Sequence, residues 1–89
     1  MEIRIDPHTA SRAAERGTNE AEIKDVLETG SPLSTRAGRF GKAKVYIFDG
    51  ERFGKAYPPK RVEVVYVMEQ DIAVTVTVYV FFGEWKEQQ

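Results

Sequence analysis

The chain reads as an α+β domain of two layers, a helical hairpin laid on one face of a mostly antiparallel sheet. Three observations lead there. Residues 60–82, KRVEVVYVMEQDIAVTVTVYVFF, alternate apolar and β-branched residues around a polar Glu69-Gln70-Asp71 turn, the period-2 signature of a long antiparallel hairpin. Two stretches ahead of it carry helix starts and stops. Between these and the hairpin lies one more alternating run, so the element order is β-α-α-β-β-β.

Taken from the start, residues 2–5 alternate charge with Ile3 and Ile5 and predict a short strand. Asp6-Pro7 then begins a helix over residues 7–16. Asp accepts the free amide hydrogens of a first turn, and proline has its φ already set for the first helical position. Ala10, Ala13 and Ala14 fall on one face, while His8, Ser11, Arg12, Glu15 and Arg16 fall on the other. Gly17 ends this helix as an αL cap. Asn19, with Glu22 three residues on, resembles a capping box and starts the next helix over residues 20–29, whose Ile23, Val26 and Leu27 form its apolar face. Gly30 and Pro32 stop it. Residues 31–41 read as a connecting loop, residues 42–48 as a strand, Asp49-Gly50 as a turn, and residues 51–60, with two prolines and a glycine, as a basic aromatic-bearing loop. In the hairpin, Val62, Val64, Tyr66 and Met68 share a face of the first arm. Ile72, Val74, Val76, Val78, Val80 and Phe82 are expected to share a face of the second, with Ala73, Thr75, Thr77, Tyr79 and Phe81 opposite. That opposite face is only mildly polar, which places the second arm inside the sheet.

The composition bounds the chemistry. Eighty-nine residues make one domain that buries about 60–68 per cent of its unfolded surface. With no cysteine there is no disulfide, thiolate metal site or cysteine nucleophile. A single histidine makes a zinc centre a poor expectation, and no metal or other cofactor is expected. The opening MEIRIDPHTA has no apolar run of signal-peptide type, and no segment approaches the roughly 20 apolar residues that span a bilayer. A soluble cytoplasmic protein is expected. Net charge is −1, but its distribution is two-sided. Arg36, Arg39, Lys42, Lys44, Arg52, Lys55, Lys60 and Arg61 face only Asp49 and Glu51 in that segment, a net +6, against −7 elsewhere.

The run His8-x-x-x-Arg12-x-x-Glu15-Arg16-Gly17, followed by a capped helix and closed by Val76-Thr77-Val78-Tyr79, resembles the DUF4258 domain, which is grouped with the RelE/ParE-like toxin superfamily. The similarity spans Ile3 to about Trp85, and the element order is the same. The resemblance implies a RelE/ParE-like fold and a toxin held inactive by an antitoxin protein. RelE-type members cut messenger RNA at the ribosome without a metal; ParE-type members poison gyrase. Two features depart from the family: Thr18 stands where an apolar residue is commoner, and the loop at residues 51–60 is longer and more basic.

His8, Arg12 and Arg16 lie at about 0, 40 and 80 degrees on the helix wheel, a polar ridge along which a phosphate could lie. Metal-free RNA cleavage needs a base for the 2′-hydroxyl, cations for the phosphorane and an acid for the leaving oxygen. His8 is expected to serve as base or acid, with Arg12, Arg16, Arg39 and Arg61 as phosphate clamps and Tyr79 or Tyr66 as a stacking or acid group. The alternative for the same residues is structural: His8 bonded to the loop or sheet, Arg12 paired with Glu15 or Asp6, Arg16 at the helix end, and both tyrosines as sheet residues with a hydroxyl at the rim. For RNA binding, the basic segment from Arg36 to Arg61, interleaved with Phe40, Phe53 and Tyr57, combines backbone charge with rings on which bases stack. Its alternative is a solvated loop or a docking surface for an acidic partner. The leading expectation is an RNA-binding and RNA-cleaving toxin; the rivals are a non-catalytic module of the same fold, and a self-associating protein paired through a sheet edge, so that monomer and homodimer are both open.

Overall fold

Helix starts come first, because their chemistry is local. In the computed structural model, which describes residues 1–47, 51–52, 55–56 and 59–83 (for 51–52 and 55–56 the backbone alone), Asp6 is extended and its carboxylate accepts from the His8 amide at 2.8 Å. Helix α1 (Pro7–Arg16) follows, and Gly17 closes it at φ +94°, where a side chain would be strained. Asn19 caps α2 (Glu20–Thr29) through the Glu22 amide at 2.9 Å. The Glu22 carboxylate turns instead to the Thr18 hydroxyl and to Lys60. Gly30 ends α2 at φ −77° and is needed for space: a Cβ there would stand 2.5 Å from the Val26 carbonyl oxygen and 2.8 Å from that of Ala43. Both are backbone atoms that cannot step aside.

The strands are β1 (Glu2–Arg4), β2 (Ser31–Leu33), β3 (Phe40–Tyr46), β4 (Glu51–Arg52), β5 (Lys55–Ala56), β6 (Lys60–Glu69) and β7 (Ile72–Phe82). Five of them form one sheet in the order β1-β7-β6-β3-β2, antiparallel except where β1 runs parallel to β7; β4 and β5 pair with each other. Both helices cover the same face. This is the α+β order expected, with short strands added inside segments read as loop, β4 and β5 among them, and one boundary moved. Ser31–Leu33, within the segment read as loop, is an edge strand on β3, and β3 begins at Phe40 instead of Lys42. Phe48, the Asp49-Gly50 turn, Phe53, Tyr57 and Trp85 lie outside the described residues.

One expectation about the hairpin is corrected. Ile72, Val74, Val76, Val78, Val80 and Phe82 do not share a face. The register pairs Tyr66 with Thr75 but Val65 with Thr77, so Val76 is an extra residue, a bulge that reverses the parity of everything after it. Before the bulge, Ala73 and Thr75 face the helices; after it, Val78, Val80 and Phe82 do. Ala73 is fully buried and Thr75 is 3% exposed, its hydroxyl accepting from the Asp6 amide at 3.0 Å. Small side chains at these two positions let the chain cross from β1 into α1 close over β7. β7 is flanked by β1 and β6, as an interior strand should be, although β1 reaches only to Val74.

The core gathers Ala13, Ile23, Val26, Leu27, Val62, Val64, Tyr66, Ala73 and Val78 between the layers. Burying each Val, Leu or Ile stabilises the fold by about 1.5–3 kcal/mol. Three strand lysines reach into the same layer. Lys42 Nζ donates to the Leu27 carbonyl at 2.9 Å, Lys44 Nζ to Asp25 at 2.7 Å, and Lys60 Nζ to both the Gly17 carbonyl at 2.8 Å and Glu22 at 2.7 Å. Their stems lie over apolar surface while their heads pin the helix ends to the sheet.

Candidate functional site

The open face of the sheet is set by parity. Residues that pair across strands point the same way, so the rung Ala43–Glu63–Tyr79 and the rung Val45–Arg61–Phe81 stand side by side on the face away from the helices. Here Arg61 Nε donates to Glu63 at 2.8 Å, with the two side chains 19% and 24% exposed. Tyr79, directly opposite Glu63, is 43% exposed and stacks on Phe81 with ring centroids 6.4 Å apart. Arg16 reaches the same place from the last turn of α1. Its Nη1 donates to the Val78 carbonyl on the outer edge of β7, and its guanidinium lies 5.6 Å from the centre of the Tyr79 ring. A carboxylate, a phenol and the Arg61 guanidinium therefore share two rungs of one hairpin, and the Arg16 guanidinium lies against the phenol ring from α1.

The bulge makes this possible. Counted from the Glu69–Ile72 end of the hairpin without an extra residue, Tyr79 would oppose Val62 and face the core; with Val76 inserted it opposes Glu63. Bulges recur beside functional sites because they re-aim side chains.

Of the residues expected to act in catalysis, the structure brings Arg16, Arg61 and Tyr79 together. His8 is exposed at the far end of α1, about 12 Å along the axis from Arg16, and Arg12 is exposed with Glu15 at 4.0 Å. Tyr66 faces the core, 7% exposed, stacked on Phe40 at 5.7 Å. The basic segment is divided among several places. Arg36 and Arg39 are exposed on the turn between β2 and β3, about 20 Å along β3 from the rung of Arg61. Lys42, Lys44 and Lys60 turn to the helices, and the side chains of Arg52 and Lys55 lie outside the described residues. Glu63 was not anticipated. The available signal was its i+2 spacing from Arg61, which puts both on one face of a strand.

Beside Arg61, away from Tyr79, a cleft of about 480 Å³ opens between the end of α2 and strands β2 and β3, with Leu33, Ala43, Val45 and Ile47 among its walls. On the covered face, the Asp25 carboxylate accepts from Lys44 Nζ and from the Tyr46 hydroxyl at 2.6 Å. The Lys44 hydrogen bond, then that of Tyr46, hold Asp25 below the usual carboxylate range. Burial, then the bond to Asp25, push Tyr46 well above the ordinary phenol range. Among the described residues, no three His, Cys, Asp or Glu side chains gather as a metal site, and no helix is long and apolar enough to cross a membrane.

Comparison of the chain with models of protein families, with curated proteins and with solved structures finds no match.

Proposed function

We propose that this chain is a RelE/ParE-like toxin of the DUF4258 kind that binds RNA on the open face of its sheet and cleaves it without a metal. The observation that carries the reading is the meeting of Glu63, Tyr79 and Arg61 across two adjacent rungs, with Arg16 against the Tyr79 ring. In this reading Glu63 takes the proton of a ribose 2′-hydroxyl, whose oxygen forms a bond to phosphorus. The bond from phosphorus to the 5′-oxygen breaks, and Tyr79 delivers a proton to that leaving oxygen. The products are a 2′,3′-cyclic phosphate and a 5′-hydroxyl, with no outside reactant. Arg61 and Arg16 stabilise the charge that builds on the phosphoryl oxygens, and Arg61 also orients the base. An antitoxin would keep the toxin inactive.

The test is cleavage of a single-stranded RNA oligonucleotide in excess EDTA, with the ends identified chemically. Wild type should yield 2′,3′-cyclic phosphate ends, and Glu63→Gln and Tyr79→Phe should each slow cleavage by about 10²-fold or more while RNA still binds. His8→Ala should leave the rate within about twofold, since His8 lies a helix length from the cluster. A folded wild type that leaves RNA intact sinks the catalytic reading; loss of cleavage in His8→Ala alone moves the chemistry to the α1 ridge. A non-catalytic module is the second reading, favoured by the apolar part of the same face, where Val65, Val67, Ile72 and Val74 are only partly buried.

A further inference from the structure

An antiparallel sheet that keeps one face in water alternates apolar residues inside with polar ones outside. The open face of this sheet departs from that rule. Away from the helices, β7 presents Ile72, Val74, Thr77, Tyr79 and Phe81, with no charge among them, and β3 presents Gly41, Ala43 and Val45. β6 is charged only toward its ends, with Arg61 and Glu63 at one and Glu69 at the other, and carries Val65 and Val67 between them. An apolar centre with a polar rim is the anatomy of a protein interface.

We infer that two copies of this chain stack open face to open face, centred on Val65, Val67 and Val74, with the helices on the outside of the pair. Size is the first argument. At about 3.4 Å per residue and about 4.8 Å between strands, the five strands present about 550 Å² of flat face, so two copies cover about 1,100 Å² before the relief of their side chains is counted. A specific interface needs about 1,000 Å² or more. Charge is the second. Arg4 pairs with Glu69 at 3.4 Å and Arg61 with Glu63 at 2.8 Å, so each end of the face is close to neutral and a copy of the same face meets little repulsion. Pairing through the edge strands is the poorer route, because β1 and β2 are three residues each and β2 holds a proline. The inference goes beyond the RNA reading and competes with it. Glu63 and Tyr79 stand on the face that the second copy covers, so RNA and the copy exclude each other.

The experiment is sedimentation equilibrium of the full chain at about 1 to 100 μM, where an interface of this size should assemble. Wild type should approach twice the mass of one chain. Val67→Lys, at the centre of the face, should raise the dissociation constant by about tenfold or more, because the stack would bury a cation without a partner. Phe81→Lys, at a position already 43% exposed, should do the same and keeps the test decisive if Val67→Lys does not fold. Glu28→Lys, on the exposed side of α2, alters charge at least as much and should leave the constant unchanged. A folded wild type that stays monomeric throughout overturns the inference and leaves the face to another partner. A dimer that survives both open-face variants also overturns it. Excess single-stranded RNA should convert the dimer to monomers bound to RNA; RNA held by an intact dimer overturns the stacking. A dimer that the open-face variants dissociate and no RNA disturbs leaves the stacking standing and removes the RNA reading.

Discussion

Lys60 and Arg61 are neighbours in sequence and opposites in the fold. Lys60 points into the helical layer, 7% exposed, and joins the Gly17 carbonyl to Glu22; Arg61 points to the open face and joins Glu63. The two faces of one sheet thus use cations differently. On the covered face, Lys42, Lys44 and Lys60 each hold a helix end, and their charges are answered by carbonyls or carboxylates of α2 and its flanks. On the open face, the charged groups stand together around an exposed phenol. Charge along the chain could not reveal this, because strand parity assigns each residue to a face.

The largest way to break the comparison is to remove one cation from each face. Lys60→Ala should destabilise the protein by about 3 kcal/mol, because it leaves the Gly17 carbonyl without its partner and the Glu22 carboxylate without its cation, with only the Thr18 hydroxyl to answer it in a nearly closed site. Arg61→Ala should cost less, about 1–2 kcal/mol, because the Arg61 side chain is 19% exposed against 9% for that of Lys60 and solvent reaches its pair more easily. Urea midpoints of the two variants decide the matter. If Arg61→Ala proves the more damaging, the open-face pair carries more of the fold than the covered one, and the contrast between the faces is wrong.

What the sequence discloses follows from the same distinction. Asp6-Pro7, Gly17 and Asn19 act through bonds made within a few residues, so α1 and α2 are legible to the residue. The hairpin is legible as a hairpin. Its second arm is not legible by face, because apolar residues occupy both parities and the bulge at Val76 carries no glycine or proline to mark it. The decision is tertiary: close passage of the β1–α1 crossing favours Ala73 and Thr75 on the inside, and the larger Val78 and Val80 follow beneath the rest of the helical layer. The site inherits that difficulty. Arg16, Arg61 and Tyr79 stand out by residue type, but their meeting depends on the shifted register. Glu63 looks like any polar residue of an amphipathic strand until Tyr79 is placed opposite it. The β2 strand is hidden for another reason: three residues, one of them proline, carry too little pattern to read.

A smaller effect probes the covered face alone. Thr9 is fully buried in α1, and its hydroxyl has no hydrogen-bond partner among the described residues. Valine has nearly the same shape and a similar helix propensity, so Thr9→Val should stabilise the protein by about 1 kcal/mol, read as a rise in the urea midpoint. A fall would show that the hydroxyl is satisfied, by solvent or another group, and that this part of the layer is less closed than it looks.

The smallest effect concerns pH, and it sharpens the comparison within the covered face, at the seam of Asp25, Lys44 and Tyr46. Asp25 is held below its unfolded value of about 3.8, so the unfolded chain binds more protons as pH falls through that range, and the stabilisation present at neutral pH is lost in acid. Tyr46 is held above its unfolded value of about 10, so its contribution is complete below that pH and lost as pH rises beyond it. Asp25→Asn keeps the shape but removes the charge that Lys44 and Tyr46 answer. Its stability deficit against wild type should be steady from about pH 5 to 9 and shrink below about pH 4. Because the Asp25 and Lys44 side chains are more than a third exposed, solvent screens the pair and the deficit should stay near or below about 1 kcal/mol. Urea unfolding at pH 3 and pH 7 compares the two proteins directly. A deficit of equal size at both would mean that the seam acts through the shape of Asp25 and not through its charge, and the lysines of the covered face would then owe their placement to their carbonyl bonds alone.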